Sequence, residues 1–289
     1  MPSTRQLKVR IRSVTSTRQI TKAMELVAAS KMRRAQEATQ ATSAYSRVAR
    51  ELLAALFATG AAEGHPLFVS RPVKRRLIIL VTSDKGLAGA YNANAIKQYL
   101  RLRQEDARTG VTSKTIGVGR KGAQFLARLK DTDIAGVYED LPDRPTGMEV
   151  RGVMTTALEA FTSGEVDAVD VVFTKYVNSI TQEVTVQRVL PAGVVATDES
   201  PATVTTATFE PSSEVVLEGA TRRLVEAQLF QALLDAAASE QSMRMIAMKN
   251  ATDNASDLVD DLTLEMNKIR QGAITQELAE ISAGTEAVG

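Results

Sequence analysis

The chain has 289 residues and a formal net charge of +1, and 44% of its residues are hydrophobic. This length can bury one large core or two smaller ones, and the near-neutral charge points to no class of partner. Because there is no cysteine, disulfides, thiolate zinc sites and cysteine nucleophiles are excluded. The single histidine, His65, lies between glycine and proline, and we expect it to be solvated rather than catalytic or metal-bound.

The N-terminal segment has the pattern of a long helix. No proline or glycine occurs between Pro2 and Gly60, so nothing in this stretch would interrupt a helix. Residues 1–24 are rich in Arg and Ser and contain no acid, which is also typical of a mitochondrial transit peptide. Because the helical pattern continues past residue 24 without a break, we favour a mature structural helix.

Small and apolar residues recur along this helix at intervals of three and four, as in a helix that packs lengthwise on a partner. The contact positions are Leu7, Ile11, Val14, Met24, Ala28, Lys31, Ala35, Ala38, Thr42, Tyr45, Ala49, Leu52 and Leu56, with a slip near Arg18 and Thr21. The many alanines would let two helices approach closely.

The middle of the chain reads as alternating strands and helices. Strands are predicted at 76–82, 114–118, 133–138, 168–176 and 183–190, and helices at 91–107, 120–130 and 147–162. The last two strands form a predicted hairpin that turns at Asn178 and Ser179. This order favours a mostly parallel sheet with one antiparallel edge strand.

Two glycine-rich turns in this region raise the possibility of a nucleotide site. The first, "SDKGLAG", follows the first strand, and the second, "GVGRKG" at 117–122, has the GxGxxG spacing between a strand and a helix. Glu139 and Asp140 lie about twenty residues further on, as in a dinucleotide fingerprint. We favour a tight strand-to-helix turn, and a dinucleotide-dependent enzyme using this loop stays as the alternative. Neither loop has P-loop spacing.

The C-terminal segment carries an apolar repeat of period 3.5 that is typical of a coiled coil. Its positions are Leu217, Ala220, Leu224, Ala227, Gln231, Leu234, Ala238, Gln241, Met245, Met248, Thr252, Ala255, Val259, Leu262, Met266, Ile269 and Ala273. A helix of this extent would be about 85 Å long at 1.5 Å per residue. It is too long for an ordinary compact domain.

The two terminal segments carry opposite charge. Residues 1–57 contain eleven Lys and Arg against three Glu, which gives +8, whereas residues 210–289 contain six basic against fourteen acidic residues, which gives −8. Opposite charge on two long helices favours their pairing with each other. Because exposed ion pairs contribute only about 0.2–1 kcal/mol each, the charge selects the partner more than it stabilises the pair.

Three segments resemble the gamma subunit of the rotary proton-translocating ATP synthases of bacterial type. They are "ITKAMELVAASKMRRAQ" (20–36), "SDKGLAGAYN" (83–92) and residues 238–284, which end in the family-specific "ITQELAEISAG". Thr285 and Glu286 depart from the small apolar residues that the family usually has there. The resemblance implies an α/β fold plus a long antiparallel coiled coil. Its expected parts are an N-terminal shaft helix (1–58), a central Rossmann-like foot domain (74–205) and a C-terminal shaft helix (209–286).

The resemblance also implies a function. The family member is the central rotor stalk, a non-catalytic subunit that transmits torque between a membrane proton-driven ring and a catalytic hexamer of alpha and beta subunits. We therefore expect no catalytic residue, cofactor, metal, nucleic acid or small-molecule substrate, and an epsilon subunit as a further partner. The expected location is the cytoplasmic face of the bacterial plasma membrane, as a peripheral protein, rather than the mitochondrial matrix side.

Particular contacts follow from the same resemblance. Residues expected to contact a beta subunit are Thr21, Lys22, Met24, Arg270, Gln271, Thr275 and Glu277, and Phe209 and Glu210 are expected to contact the ring or epsilon. A third hypothesis, besides the stalk subunit and the dinucleotide-dependent enzyme, is a basic helix at 5–34 that binds nucleic acid. It is weak because that stretch has no aromatic residue to stack on bases.

Overall fold

The computed structural model describes the backbone of residues 3–58, 65–140, 142, 147–192 and 213–286, and the side chains of these residues other than 43–58, 148–149, 213–214, 217–218 and 282–286. The elements are α1 (Thr4–Ala58), β1 (Arg75–Val81), α2 (Tyr91–Thr109), β2 (Thr112–Val118), α3 (Arg120–Leu126), β3 (Asp133–Tyr138), α4 (Gly147–Thr162), β4 (Ala168–Tyr176), β5 (Gln182–Leu190) and α5 (Ser213–Glu286). Two compact units are present. One comprises Ala29–Met243 and the other Met1–Ala28 with Arg244–Gly289.

The larger unit is built on a five-stranded sheet in the order β3-β2-β1-β4-β5. The first four strands are parallel and β5 pairs antiparallel with β4, which confirms the predicted mostly parallel sheet with one antiparallel edge. The observed strands lie within two residues of their predicted bounds. By contrast, α3 ends at Leu126, four residues before the predicted end.

The central strand β1 is buried on both faces, as its unbroken apolar run requires. Alternate residues point to opposite faces. Leu77, Ile79 and Val81 join α4 and the first part of α5 in one core, whereas Ile78 and Leu80 join α2 and α3 in the other. The α5 residues in the first core are Val225, Leu229, Ala232, Leu233 and Ala236. The sheet is therefore covered by helices on both sides.

The predicted hairpin turn is confirmed between β4 and β5. The side-chain oxygen of Asn178 accepts hydrogen bonds from the backbone N–H groups of Ile180 (2.9 Å) and Thr181 (2.8 Å). Asparagine favours such turns because its side chain can replace a backbone acceptor.

The smaller unit is a pair of long helix segments from α1 and α5. The buried residues of α1 in this unit are Leu7, Thr21 and Ala28, and those of α5 include Met248, Ala255 and Leu262. Within each helix these residues are separated by seven or fourteen positions. This spacing is the heptad repeat of a coiled coil. Thr21 is buried in the contact between the helices, so the predicted slip of the repeat near this residue is wrong.

The contact between Thr21 and Thr252 sets the register of the two helices, and the exposure of the last part of α5 shows that they run antiparallel. Thr252 Oγ1 donates to Thr21 Oγ1 at 2.8 Å. An antiparallel pairing through this contact places Thr4, where α1 begins, opposite Ile269. Every residue of α5 from Arg270 to Ile281 is exposed, as expected for a helix that extends beyond the start of its partner. The division into a foot and two shaft helices, at the bounds given above, stays a prediction.

Candidate functional site

The glycines of the "GVGRKG" turn lie directly against the end of β1. A Cβ atom on Gly119 would lie 2.2 Å from the carbonyl oxygen of Thr82, and the φ angle of Gly119 is +89°. A Cβ atom on Gly122 would lie 2.7 Å from Thr82 Oγ1. Only glycine allows such a conformation and such a close approach. Both glycines are thus explained by packing between two turns of the protein itself.

The backbone N–H groups at the start of α3 all have protein partners. Arg120 N–H donates to Asp84 Oδ1 (2.9 Å), Lys121 N–H to the Ser83 carbonyl (3.0 Å) and Gly122 N–H to Thr82 Oγ1 (2.8 Å). A phosphate bound at a helix N-terminus would need these donors. The turn after β1 takes them instead, and the Asp84 carboxylate occupies the position of the anion.

The two acids at the fingerprint spacing, Glu139 and Asp140, are paired with an arginine of the chain. Asp140 and Glu139 both form ion pairs with the Arg120 guanidinium, at 2.5 Å and 3.6 Å, and the Asp140 N–H donates to Asp84 Oδ1 at 3.1 Å. This network ties the turns after β1 and β3 to the start of α3. The arrangement does not support the alternative of a dinucleotide-dependent enzyme using this loop.

A second polar cluster, which the sequence analysis missed, crosses the sheet. The buried Asp170 carboxylate on β4 is paired with Arg76 on β1 and Arg188 on β5, and Arg76 also pairs with Asp106 of α2 at 3.1 Å. Burial raises the pKa of Asp106, and the Arg76 guanidinium opposes that rise. The cluster links three elements of the sheet with α2. Its sequence signal was the charged Asp170 inside the apolar run of β4.

The predicted partner contacts on α1 differ in their surroundings. Thr21 is buried in the coiled coil, where its hydroxyl donates to the Arg18 carbonyl at 3.0 Å. Lys22 is exposed and pairs with Glu25 at 3.0 Å, and Met24 is half-buried. Lys22 is therefore exposed while paired with Glu25, Met24 is exposed in part, and Thr21 is buried between the two helices.

The predicted partner contacts on α5 lie together on the segment beyond the start of α1. Arg270, Gln271, Thr275 and Glu277 are all exposed, and Thr275 Oγ1 donates to the Gln271 carbonyl at 2.9 Å. Three large apolar side chains on the same segment, Ile274, Leu278 and Ile281, are also exposed. We call residues 270–281 the exposed end segment. A run of apolar side chains in water is typical of a binding surface.

The two residues predicted to contact the ring or epsilon, Phe209 and Glu210, lie outside the described residues. Within the described ranges, no cluster of His, Cys, Asp and Glu residues could hold a metal ion. The same part of the chain contains no helix long and apolar enough to cross a membrane.

Two long terminal helices that pair in part as a coiled coil, an α/β domain and a glycine turn filled by protein groups define a coiled-coil protein with a central α/β domain. Comparisons with known proteins agree. A sequence model of the family described as ATP synthase matches residues 3–288. The "ATP synthase gamma chain" of Cupriavidus metallidurans is 40% identical over the full length of both chains. The chain belongs to the family of ATP synthase gamma chains, which are non-catalytic stalk subunits of the complex.

Solved structures share the fold. A chain of the Euglena gracilis mitochondrial ATP synthase, in its OSCP/F1/c-ring part, superposes with a TM-score of 0.67 at 17% identity, covering 99% of this chain and 94% of that one. A chain of the Tetrahymena thermophila mitochondrial ATP synthase, from its central stalk and c-ring, gives a TM-score of 0.60 at 23% identity, with 80% and 99% covered. At these identities the likeness shows the fold alone.

Proposed function

We propose that this chain is the central rotor stalk of a bacterial ATP synthase and transmits torque between a membrane proton-driven ring and the catalytic hexamer of alpha and beta subunits. The observation that carries this proposal is α5, a single helix of 74 residues from Ser213 to Glu286. Such a helix is about 110 Å long. A long uninterrupted helix resists twisting better than a loop does, which suits an element that transmits torque.

The exposed end segment is the proposed contact with the hexamer. Ile274, Leu278 and Ile281 offer apolar contact, which is non-directional and so favours turning inside a sleeve over locking at one position. Arg270, Gln271, Thr275 and Glu277 add hydrogen-bonding groups for a beta subunit. A helix pair that rotates past three beta subunits needs contacts of nearly equal free energy at each of them, since 1.4 kcal/mol changes an equilibrium tenfold.

The α1 residues of the proposed beta-subunit contact divide into two roles. Lys22 can reach acidic groups of a partner, and Met24 offers a flexible apolar side chain that adapts to several partners. Thr21 sets the register of the two helices through Thr252 and so positions its neighbours. Together these residues form the α1 side of the contact.

The opposite contact, with the ring and the epsilon subunit, is proposed for Phe209 and Glu210 from the family resemblance. It makes the chain a peripheral protein at the cytoplasmic face of the plasma membrane. Glu210→Lys tests this contact: proton pumping per ATP hydrolysed should fall, while hydrolysis by the detached hexamer with its stalk stays nearly normal. An unchanged ratio of pumping to hydrolysis would contradict the assignment.

Purification of the native complex tests the function itself. The expected result is one copy of this chain for every three alpha and three beta subunits, as the stalk of a hexamer requires. A chain that purifies alone, and that binds a dinucleotide saturably, would favour the enzyme alternative. Titration of the purified full chain with NAD and NADP is the matching experiment, and we expect no saturable binding because Asp84 takes the anion position.

A further inference from the structure

A carboxyl group is buried where the first part of α5 packs on the sheet. Asp235 is only 8% exposed, and it lies between Leu234 and Ala236, which are both buried. One turn further along α5, Ser239 Oγ donates to the carbonyl of Thr174 on β4 at 2.9 Å. The Asp235 side chain is thus fixed at a contact between a helix and the end of a central strand.

The hydrogen bonds around Asp235 are incomplete if the group is ionised. Within the described residues, its carboxyl group accepts a single hydrogen bond, from Gln231 Nε2 at 3.3 Å. The other half of the same amide, Gln231 Oε1, is buried and has no hydrogen-bond partner in the part of the chain that the structure describes. An ionised carboxylate cannot donate to this oxygen, because it has no hydrogen. A buried acceptor without a donor is costly.

A protonated carboxyl group completes both sets of bonds. Its O–H can donate to Gln231 Oε1 while Gln231 Nε2–H donates to its other oxygen, so that the acid and the amide form a closed pair of two hydrogen bonds. The two residues are four apart on one helix, so their side chains lie on the same face one turn apart.

The charged groups near Asp235 do not provide enough positive charge to stabilise its ionised form. Lys175 of β4 is the one cation whose field acts on Asp235 among the described residues, and its side chain is exposed. The helix α1 also reaches this end of β4, since Gln36 donates to the Tyr176 hydroxyl group. Other titratable residues on the adjoining elements are Lys31, Arg33, Arg34 and Glu37 of α1, Tyr176 and Glu183 of the hairpin and Glu240 of α5, and none of these acts on the carboxyl group.

We infer that Asp235 and Gln231 form a proton-holding acid–amide pair, and that loss of this proton weakens the packing of α5 on β4 as the pH rises toward neutrality. The pair is a pH-sensitive element in the folded unit, independent of the proposed rotor contacts. Burial raises the pKa of Asp235 to about 6, and the Gln231 hydrogen bond and the Lys175 charge oppose that rise.

The direction of the pH effect follows from this rise. A carboxyl group whose pKa is higher in the folded chain contributes stability that is complete below its ordinary pKa of 3.8 and is lost as the pH rises through about 6. Between pH 5 and pH 8 this single group should change the folding equilibrium by about tenfold, in favour of the folded chain at the lower pH.

The test uses the full chain and two variants. Urea unfolding at pH 5 and pH 8 is measured for the wild type, for Asp235→Asn and for the control Asp253→Asn, which changes an exposed aspartate of the same helix. Asparagine can make both hydrogen bonds to the Gln231 amide without a titratable proton. We expect Asp235→Asn to lose the tenfold pH effect and Asp253→Asn to keep it. An Asp235→Asn chain with the wild-type pH dependence would overturn the proposal.

A direct titration decides the question even if Asp235→Asn does not fold. In the full wild-type chain with ¹³C-labelled aspartate carboxyl groups, the Asp235 resonance should titrate near pH 6, and Gln231→Leu identifies it because only a neighbouring carboxyl changes in that variant. A midpoint near 3.8, the ordinary aspartate value, would show that Asp235 is ionised in the folded chain. That result would overturn the proposal.

Discussion

The two ends of α5 carry similar apolar residues, but those near its start are buried and those near its end are exposed to solvent. Near its start, Leu229 and Leu233 are 2% and 4% exposed in the core of the sheet, whereas Leu278 and Ile281 near its end are 61% and 60% exposed. Helix propensity and apolar character cannot account for the difference, since they are alike at both ends. The sheet opposite the first stretch buries it, and the last stretch has passed the start of α1. Exposed leucine and isoleucine at the spacing of a helix face are typical of a binding surface.

The largest expected effect separates these two ends by one matched substitution. Leu233→Asp should prevent stable folding of the isolated chain, at a cost of about 4 kcal/mol or more, because it buries a charge in an apolar core. Leu278→Asp should change the unfolding free energy by less than about 0.5 kcal/mol, because its side chain is already in water. Urea unfolding of both purified variants measures the difference.

The same pair then tests the binding role of the exposed end. In the assembled complex, Leu278→Asp should lower ATP synthesis even though the isolated chain folds normally. Leu278→Met, which keeps the apolar surface, is the control and should synthesise ATP at nearly the wild-type rate. Full activity of Leu278→Asp would mean that the exposed end segment makes no important contact.

A smaller effect on stability is expected in the "GVGRKG" turn, whose glycines pack tightly against Thr82, in contrast to the exposed end of α5. Gly119→Ala should destabilise the chain by about 3 kcal/mol, because the new Cβ atom meets the Thr82 carbonyl and the positive φ angle disfavours alanine. Gly86→Ala, in the neighbouring turn, meets no atom within 4 Å and is the matched control. Thermal unfolding compares the two. Equal stability of both variants would show that the turns can separate.

A weaker effect on stability is expected at the Thr21–Thr252 contact between the two helices of the coiled coil. Thr252→Val should cost about 1 kcal/mol, because the Thr21 hydroxyl loses the hydrogen bond that Thr252 donates. The double variant Thr21→Val with Thr252→Val should cost less than the sum of the two single changes, since the pair is then apolar on both sides. A double-mutant cycle of unfolding free energies measures this coupling. Strict additivity would show that the contact contributes nothing.

The smallest effect on stability and a clear effect on function are expected at Gln271. Gln271→Leu removes an exposed hydrogen-bonding side chain, so the isolated chain should unfold within about 0.5 kcal/mol of the wild type. In the complex, both ATP synthesis and ATP hydrolysis should slow, because the proposed bond to a beta subunit is lost. Asn250→Leu, another exposed amide on α5, is the control. Equal rates in the two variants would remove Gln271 from the contact.

The strands were predictable to within two residues because their signal is local. β1 and β4 combine β-branched residues with flanking turn residues, and both were confirmed. The early end of α3 was not predictable. Residues 127–130, which were predicted to continue the helix, contain no proline or glycine to stop it, but they form turns in the structure. Thr21 was misjudged for a related reason. A hydroxyl group interrupts an apolar pattern in one helix, but here a second hydroxyl on the other helix satisfies it.

By itself, the sequence determined the elements of the fold and, through the resemblance of residues 20–36, 83–92 and 238–284, the family. Heptad spacing, strand patterns and breaker-free ends are periodic local properties, and each identifies an element without knowledge of its neighbours. Only the tertiary structure decided that Asp84 takes the anion position of the glycine turn and that α5 is exposed from Arg270 to Ile281. It also decided that Asp235 is buried beside an amide oxygen with no partner among the described residues. The physical reason is that hydrogen bonding and burial depend on groups far apart in the chain, which only folding brings together.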